Sequence, residues 1–245
     1  MILFLTSSPC TNDMPEGVEL PCILNEDNGF VEQLKKHWKP DSRCLIISAD
    51  PTNYGMNDEM ADTFFGAFSY HGLTLSDMVI CDDRNAGEIA AFLKESDVII
   101  LAGGHVPTQM EFFDRLGLRE LIQEFTGIVI GISAGTMNCA TWVYAQPEEE
   151  GESVDPDYVR FFQGLGLTKI NVLPHYQNVK YNILDGKRLF EDITYGDSFG
   201  NEFYALVDGS YILVEQGKSV LHGTAYRIKD GELKRICIYG NQIDL

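Results

Sequence analysis

The sequence predicts an α/β protein with a mostly parallel sheet, helices on both faces and an antiparallel β extension at the C-terminal end. Short apolar runs alternate with longer segments whose apolar residues recur every three or four positions. The runs are nearly continuous in Val, Ile and Leu, which is typical of parallel strands buried on both faces. No flexible linker interrupts the 245 residues. We therefore expect a single domain over residues 1–245.

The strands and helices of the first part alternate along the chain. Strands are predicted at Ile2–Leu5, Cys44–Ser48, Met78–Cys81, Val98–Leu101 and Gly127–Ile132. Helices are predicted between them at Phe30–Trp38, Asp58–Tyr70, Ala86–Lys94 and Thr108–Phe125. This alternation favours parallel strands joined by helical crossovers.

The last third changes to short β-like runs separated by turns with a glycine in second place. The runs are Phe203–Val207, Tyr211–Glu215, Ser219–Leu221, Thr224–Lys229 and Glu232–Tyr239. Pairs such as Asp208-Gly209 and Asp230-Gly231 are typical hairpin turns. We expect one antiparallel meander attached to the same sheet.

Composition and charge exclude several classes of function. The chain has 18 Lys and Arg against 37 Asp and Glu, a formal net charge of −19. Nucleic acids and anionic membrane surfaces repel such a chain. The sequence has no apolar stretch long enough to span a bilayer, and residues 1–7 lack the basic region of a secretory leader. Six cysteines without metal-ligand spacing predict a cytoplasmic protein with no metal and no cofactor.

The sharpest local motif is Gly131-Ile132-Ser133-Ala134-Gly135, between an apolar strand and a helix start. A serine on a tight strand-to-helix turn needs small neighbours so that its hydroxyl stays exposed. The following helix directs its positive end towards a developing anion. The motif predicts a nucleophilic Ser133, although a glycine-rich turn that merely caps a helix fits the same letters.

A second glycine turn, Gly103-Gly104, closes the preceding predicted strand. The carboxyl ends of adjacent parallel strands lie side by side, and sites in α/β proteins form there. The backbone N–H groups of Gly104 and Ala134 are therefore predicted to form an oxyanion hole beside Ser133.

A serine nucleophile needs a general base and a carboxylate that orients it. His175 follows the short apolar run Asn171–Leu173 and Pro174, which puts it at a strand end, so it is our candidate base. His105 lies in the glycine turn and is expected to line the pocket. Asp208, at the end of a strand, and Glu148, at the start of an acidic run, are both candidates for the carboxylate.

These motifs together resemble the peptidase E and cyanophycinase family of serine peptidases. The resemblance rests on Gly103-Gly104, the Ser133 motif about thirty residues later, Leu173-Pro174-His175-Tyr176 about forty beyond, and Leu206–Ser210. It implies a glutamine-amidotransferase-like fold, with Ser133 as nucleophile and His175 as base. We favour Asp208 as the orienting acid, because a carboxylate at a strand end is held more rigidly than one in a loop. Glu148 is then expected at the pocket wall or at the amino terminus of a peptide.

The resemblance implies hydrolysis of a di- or short peptide through an acyl-enzyme, with a small peptide as the partner and a homodimer left open. Aspartyl dipeptidases of the family carry a basic residue beyond the histidine that pairs with the substrate's Asp side chain, and the stretch Asn182–Arg188 offers Lys187 and Arg188 for it. A glutamine amidotransferase relative would use cysteine at the elbow and Glu two residues after the histidine, where this chain has Ser133 and Gln177. An ordinary α/β-hydrolase would use His222 as base. The remaining alternative is a binding protein that has the same fold but no catalytic activity.

The negative charge is concentrated around the predicted nucleophile. Residues 120–159 contain no Lys or Arg but eight acids: Glu120, Glu124, Glu148, Glu149, Glu150, Glu152, Asp155 and Asp157. A field of this sign attracts amino termini and cationic substrates and repels free acidic ones. The sequence thus predicts a preference against acidic peptides.

Overall fold

The computed structural model describes all residues 1–245 and is built around an eight-stranded sheet. The strands are β1 (Ile2–Thr6), β2 (Cys10–Thr11), β3 (Ile23–Leu24), β4 (Ser42–Ile47), β5 (Leu75–Cys81), β6 (Val98–Leu101), β7 (Ile128–Ile132), β8 (Trp142–Tyr144), β9 (Phe161–Gln163), β10 (Asn171–Leu173), β11 (Ile183–Leu184), β12 (Lys187–Arg188), β13 (Glu202–Leu206), β14 (Tyr211–Glu215), β15 (Lys218–His222), β16 (Ala225–Lys229), β17 (Glu232–Cys237) and β18 (Gln242–Asp244).

The helices are short apart from the second and the fourth. They are α1 (Phe30–His37), α2 (Tyr54–Tyr70), α3 (Ile89–Glu95), α4 (Val106–Leu116), α5 (Leu118–Leu121), α6 (Ala134–Met137), α7 (Tyr176–Val179) and α8 (Tyr195–Asp197). Short 3-10 turns occupy Asp27–Gly29, Ala86–Glu88 and Ile122–Glu124, and a π-helical turn occupies Leu189–Thr194. None of these helices combines the length and apolar character that a membrane span requires.

The central sheet has the order β18-β15-β14-β1-β7-β6-β4-β5. From β1 to β5 all neighbours are parallel, whereas β14, β15 and β18 are added antiparallel at the other side. The predicted fold class, a mostly parallel sheet with an antiparallel C-terminal extension, is confirmed.

The sheet separates two hydrophobic cores because successive side chains of a strand point to opposite faces. In β1, Leu3 and Leu5 belong to one core and Phe4 to the other. Helices α3, α4 and α5 cover the first face, and α1 and α2 cover the second. A third core lies between α6, the π-helical turn and a smaller sheet.

The C-terminal third differs from the prediction of one meander on the central sheet. Strands β13, β16 and β17 leave it and form, with β10, a second sheet of order β10-β13-β16-β17. The chain changes sheets three times in this third: at the turn around Gly209 (φ 79°), at Gly223 (φ 93°), and after β17, where β18 rejoins the central sheet. At Gly223 a side chain would lie 2.5 Å from Ser210 Oγ, so only glycine lets the chain pass this corner without displacing a neighbour.

Two predicted helices have other bounds than expected. The segment Thr108–Phe125 is not one helix, because Gly117 takes a left-handed conformation (φ 62°) that ends α4 before α5 begins. The helix predicted from Asp58 begins four residues earlier, at Tyr54. The five strands predicted for the first part are all present within a few residues of the expected bounds.

Gly135 provides a test of how tightly α6 packs on the sheet. A Cβ atom there would lie 2.1 Å from the carbonyl oxygen of Leu101, the last residue of β6. Since backbone cannot rotate away as a side chain does, Gly135→Ala is expected to lower the free energy of unfolding by about 3 kcal/mol. Urea unfolding followed by circular dichroism measures it. Gly55→Ala is the control, since a Cβ there meets nothing within 4 Å. Equal stability of the two variants would contradict this packing.

Candidate active site

Ser133 lies on a sharp turn between β7 and α6, with φ 50° and ψ −112°. A non-glycine residue with positive φ carries strain, and such strain is concentrated at functional sites. The Ser133 N–H donates to the Thr6 carbonyl in β1 at 3.3 Å. A Cβ at Gly131 would meet the Thr136 backbone at 2.8 Å. The two glycines of the motif are therefore required by close packing around the turn.

His175 brings the serine and a carboxylate into one hydrogen-bonded chain. It follows β10 in a left-handed conformation (φ 56°) and precedes α7. Its Nε2 lies 3.0 Å from Ser133 Oγ, and its Nδ1 lies 2.7 Å from Asp208 Oδ1. Of the two carboxylates considered from the sequence, Asp208 is the one that contacts the imidazole.

Parallel pairing explains why His175 and Asp208 meet. Strands β10 and β13 are parallel neighbours, with Leu173 opposite Ala205. His175 follows β10 by two residues and Asp208 follows β13 by two, so both side chains emerge at the same sheet edge. The carboxyl ends of parallel strands thus place the imidazole and the carboxylate side by side.

The Asp208 carboxylate accepts three side-chain hydrogen bonds. Besides His175, Ser7 Oγ donates to Oδ1 at 2.6 Å and Gln177 Nε2 donates to Oδ2 at 2.5 Å. Gln177 Oε1 in turn accepts the Asp208 N–H at 3.1 Å. Partial burial acts to raise the pKa of Asp208, but the bonds from His175, Ser7 and Gln177 outweigh it and hold the pKa below its ordinary value. The carboxylate is kept charged and fixed in orientation.

Ser7 is a site residue that the sequence analysis missed. It is fully buried, accepts the His175 N–H at 2.7 Å and donates to Asp208. Its position follows from the register of β1 and β7, in which Thr6 is opposite Ile132, so that Ser7 is level with Ser133. A polar residue directly after the strand next to the elbow was the signal that could have found it.

Of the two residues predicted as oxyanion donors, Ala134 follows Ser133 directly, whereas Gly104 is one residue away from the glycine that contacts the serine. Gly103, rather than Gly104, packs directly on the serine: a Cβ on Gly103 would lie 3.4 Å from Ser133 Cβ, whereas one on Gly104 would meet Ala49 at 2.6 Å. The N–H groups of Gly103 and Gly104 donate to no protein acceptor. Ala134 opens α6, where helices leave N–H groups unpaired. The two turns after β6 and β7 thus carry three N–H groups without a protein acceptor.

A cavity of about 230 Å³ opens beside Ser133 and His175. Its apolar walls are formed by Met137, Val179, Ile183, Leu184 and Leu189. Glu148 contributes a carboxyl group to the same lining. Desolvation by the surrounding atoms raises the pKa of Glu148 to about 7, and Glu152 adds to this while His105 and His175 oppose it. Glu148 thus lies at the predicted pocket wall.

His105 and Arg188, both predicted to contact substrate, do not line this cavity. The His105 ring is bonded to Thr108 and, at 2.7 Å, to Glu152, whose other oxygen accepts the N–H groups of Glu148 and Glu149. Arg188 is exposed and its guanidinium pairs with Asp192 at 2.6 Å. These partners occupy both side chains, which is why the structure does not bring them to the serine.

One group of side chains could hold a metal ion by its geometry. His105, Glu149 and Glu152 present ligand atoms within 4.8 Å of one another. Two of these ligand atoms already form the His105–Glu152 hydrogen bond, which holds the acidic loop in place. The group has no contact with the Ser133–His175–Asp208 chain.

The remaining histidines have other surroundings. His222 is buried in β15 and stacks on Tyr211, with ring centroids 4.6 Å apart. Burial lowers its pKa, and Lys36 acts in the same direction. His222 has no bond to Ser133, so the triad order of an ordinary α/β-hydrolase is not the one this structure assembles. His71 is buried near Glu26, and His37 lies near Glu215.

A parallel sheet with a strained serine turn, a bonded histidine and free N–H donors is the arrangement of a hydrolase that uses a serine nucleophile. The sequence profile of peptidase family S51 matches residues 31–222, and the chain belongs to this family. Membership supports a serine peptidase in general terms and confirms the resemblance seen in the sequence. No curated protein matches the chain by sequence.

A solved structure supports the same fold. It is a 1.5 Å crystal structure of a candidate peptidase E protein from Listeria monocytogenes EGD-e, with a TM-score of 0.60. The alignment covers 96% of this chain and 98% of the other, at 18% sequence identity. At this identity the likeness concerns the fold.

Replacing Ser7 by alanine tests its part in holding the site. The His175 N–H and one Asp208 oxygen would lose a partner, and a buried polar group left unpaired costs about 1–3 kcal/mol. We expect Ser7→Ala to lower the free energy of unfolding by that amount, measured by urea unfolding. Ser8→Ala is the control, because the neighbouring Ser8 hydroxyl bonds only the Cys10 carbonyl at 3.2 Å. A Ser7 variant as stable as the Ser8 variant would contradict this role.

The lowered pKa of Asp208 predicts a pH dependence of stability. A carboxylate whose pKa is lower in the folded than in the unfolded state stabilises the fold above the unfolded value, which is about 3.9. That contribution disappears as the pH falls below about 4 and through the folded-state value. The difference in unfolding free energy between the protein and Asp208→Asn should therefore shrink as the pH falls from about 5 towards 3. A constant difference down to pH 3 would show that charge is not its source.

Proposed function

We propose that this protein is a serine peptidase that hydrolyses a peptide bond of di- or short peptides through Ser133, His175 and Asp208. The observation that carries the proposal is the continuous hydrogen-bonded chain from Ser133 Oγ through the imidazole to the Asp208 carboxylate. Membership of family S51 supports the same class of reaction.

The proposed reaction follows from which atoms face each other. His175 Nε2 takes the Ser133 hydroxyl proton while Oγ attacks the peptide carbonyl. Asp208 accepts a hydrogen bond from Nδ1–H, fixes the tautomer and stabilises the imidazolium cation that forms. Collapse of the tetrahedral intermediate passes the proton from Nε2 to the leaving amine and leaves an acyl-enzyme. Water, deprotonated by His175, then hydrolyses the ester and releases the acid.

The tetrahedral oxyanion needs donors close to Ser133. The free N–H groups of the Gly103-Gly104 turn and of Ala134 support this assignment, since none of the glycine donors has a protein acceptor. Fixed donors of this kind contribute about 3 kcal/mol each to transition-state stabilisation. Helix α6 is short, so its dipole contributes little, and the individual N–H donors stabilise the oxyanion.

Two features favour short peptides with a free amino terminus. The cavity is smaller than the roughly 300–1,000 Å³ of sites for drug-sized ligands, and so accommodates about one residue on one side of the scissile bond. Glu148 is the acidic group in its lining, and we assign it to the α-ammonium group of the substrate. Pairing with that cation favours the charged form of a carboxyl group whose pKa is raised to about 7.

Labelling with a fluorophosphonate tests the nucleophile. The protein should label at Ser133, and Ser133→Ala should not. Turnover of a dipeptide library should fall at least about 10³-fold in Ser133→Ala and His175→Ala, because the residues of such a triad act as a unit. His222→Ala is the control for loss of a histidine, with folding checked by circular dichroism. If only the His222 variant lost turnover, the base would be assigned wrongly.

A second experiment tests the assignment of Glu148. Glu148→Gln is expected to lower kcat/KM at least tenfold for peptides with a free amino terminus and to leave N-acetylated peptides unaffected. The matched control is Glu150→Gln, which removes the same charge from the same acidic loop outside the cavity lining. Equal losses in both variants would indicate a general field effect in place of a contact.

A further inference from the structure

The walls of the cavity beside Ser133 differ in character from its rim. Met137 comes from the helix that follows the serine, Val179 from the helix that follows the histidine, and Leu189 from the π-helical turn. Ile183 and Leu184 belong to the β11–β12 hairpin. Side chains from four separate elements thus present hydrocarbon to one small space, next to the bond to be broken.

The charges around this space are negative. Glu148 is the one ionisable group of the lining other than His175, and no lysine or arginine takes part. The nearest cations on the hairpin have other partners: Lys187 Nζ donates to the Ser153 carbonyl at 2.7 Å, and Arg188 pairs with Asp192. A carboxylate side chain bound here would lie near Glu148 without a countercharge, which is costly in a partly desolvated site.

We infer that the cavity selects a substrate whose N-terminal residue has an uncharged, apolar side chain of leucine or methionine size. This inference rests on the proposed peptidase function and names the substrate class of that site. Glu148 binds the α-ammonium group, and the apolar walls take up the side chain of the same residue. The acyl group carried by Ser133 is then an apolar amino acid, released as the free acid after hydrolysis.

The size of the expected preference follows from the apolar contacts. Adding or removing small hydrocarbon groups in an apolar pocket changes specificity by about 10–200-fold. With repulsion between carboxylates in addition, kcat/KM for leucine p-nitroanilide should exceed that for aspartate p-nitroanilide at least about 100-fold. Lysine p-nitroanilide should also be poor, because its ammonium group would have to leave water for the hydrocarbon walls. A preference for aspartate or lysine over leucine overturns the inference.

A charge introduced at the rim provides the reciprocal test. Ile183 lines the cavity yet is 69% exposed, so Ile183→Lys is compatible with folding. We expect this variant to lower the leucine-to-aspartate ratio of kcat/KM at least tenfold. Tyr181→Lys is the matched control: Tyr181 lies two residues away, is 81% exposed and is outside the lining. Its ratio should be unchanged, and an equal shift in both variants would show that long-range charge sets the preference.

Binding to Ser133→Ala separates this inference from the proposed function. Calorimetric titration with Leu-Gly and Asp-Gly measures recognition without turnover. Tighter binding of Leu-Gly by at least tenfold supports the side-chain inference even if the natural protein hydrolyses neither peptide, a result that would overturn only the peptidase function. Tighter or equal binding of Asp-Gly, or no binding of either, overturns the inference. Fluorophosphonate labelling of Ser133 in the natural protein reports independently on the nucleophile.

Discussion

The site depends on one partly buried hydrogen-bond network centred on the Asp208 carboxylate. That carboxylate joins three distant parts of the chain: Ser7 after the first strand, His175 and Gln177 after β10, and its own turn between β13 and β14. Ser7 follows a strand of the central sheet, whereas His175 and Asp208 follow two parallel strands of the second sheet. Contacts from both sheets therefore fix the position of a single imidazole, and this imidazole is held beside Ser133.

Close backbone packing supplies the second constraint. The serine turn packs against β6 and the start of α6 only because Gly131 and Gly135 lack side chains. Rigid backbone holds the free N–H groups in place without side-chain entropy to lose. Among the reacting groups, only the serine hydroxyl and the histidine ring can rotate. This suits a site that must be organised before substrate arrives.

Local pattern was enough to predict the first half of the fold and the residues that follow its strands. The Ser133 motif, the Pro174-His175 pair and the Asp208-Gly209 turn each carry their signal within a few residues. The split of the last third into two sheets was beyond such reasoning, because it depends on which strands pair across long sequence separations. Ser7 escaped for a related reason, since only the register of β1 against β7 makes it level with the nucleophile. His105 and Arg188 looked available in sequence but have partners, Glu152 and Asp192, that only the folded chain brings near.

The passage of the chain between the two sheets has a consequence for synthesis. Asp208, the centre of the network, lies in a segment that is translated after more than four fifths of the protein, and β14, which pairs with β1, follows it. A nascent chain on the ribosome already contains the serine and the histidine but has no oriented base until this segment emerges and docks. Because of this order of the strands along the sequence, the incomplete chain has no assembled active site while neighbouring nascent chains are still unfolded.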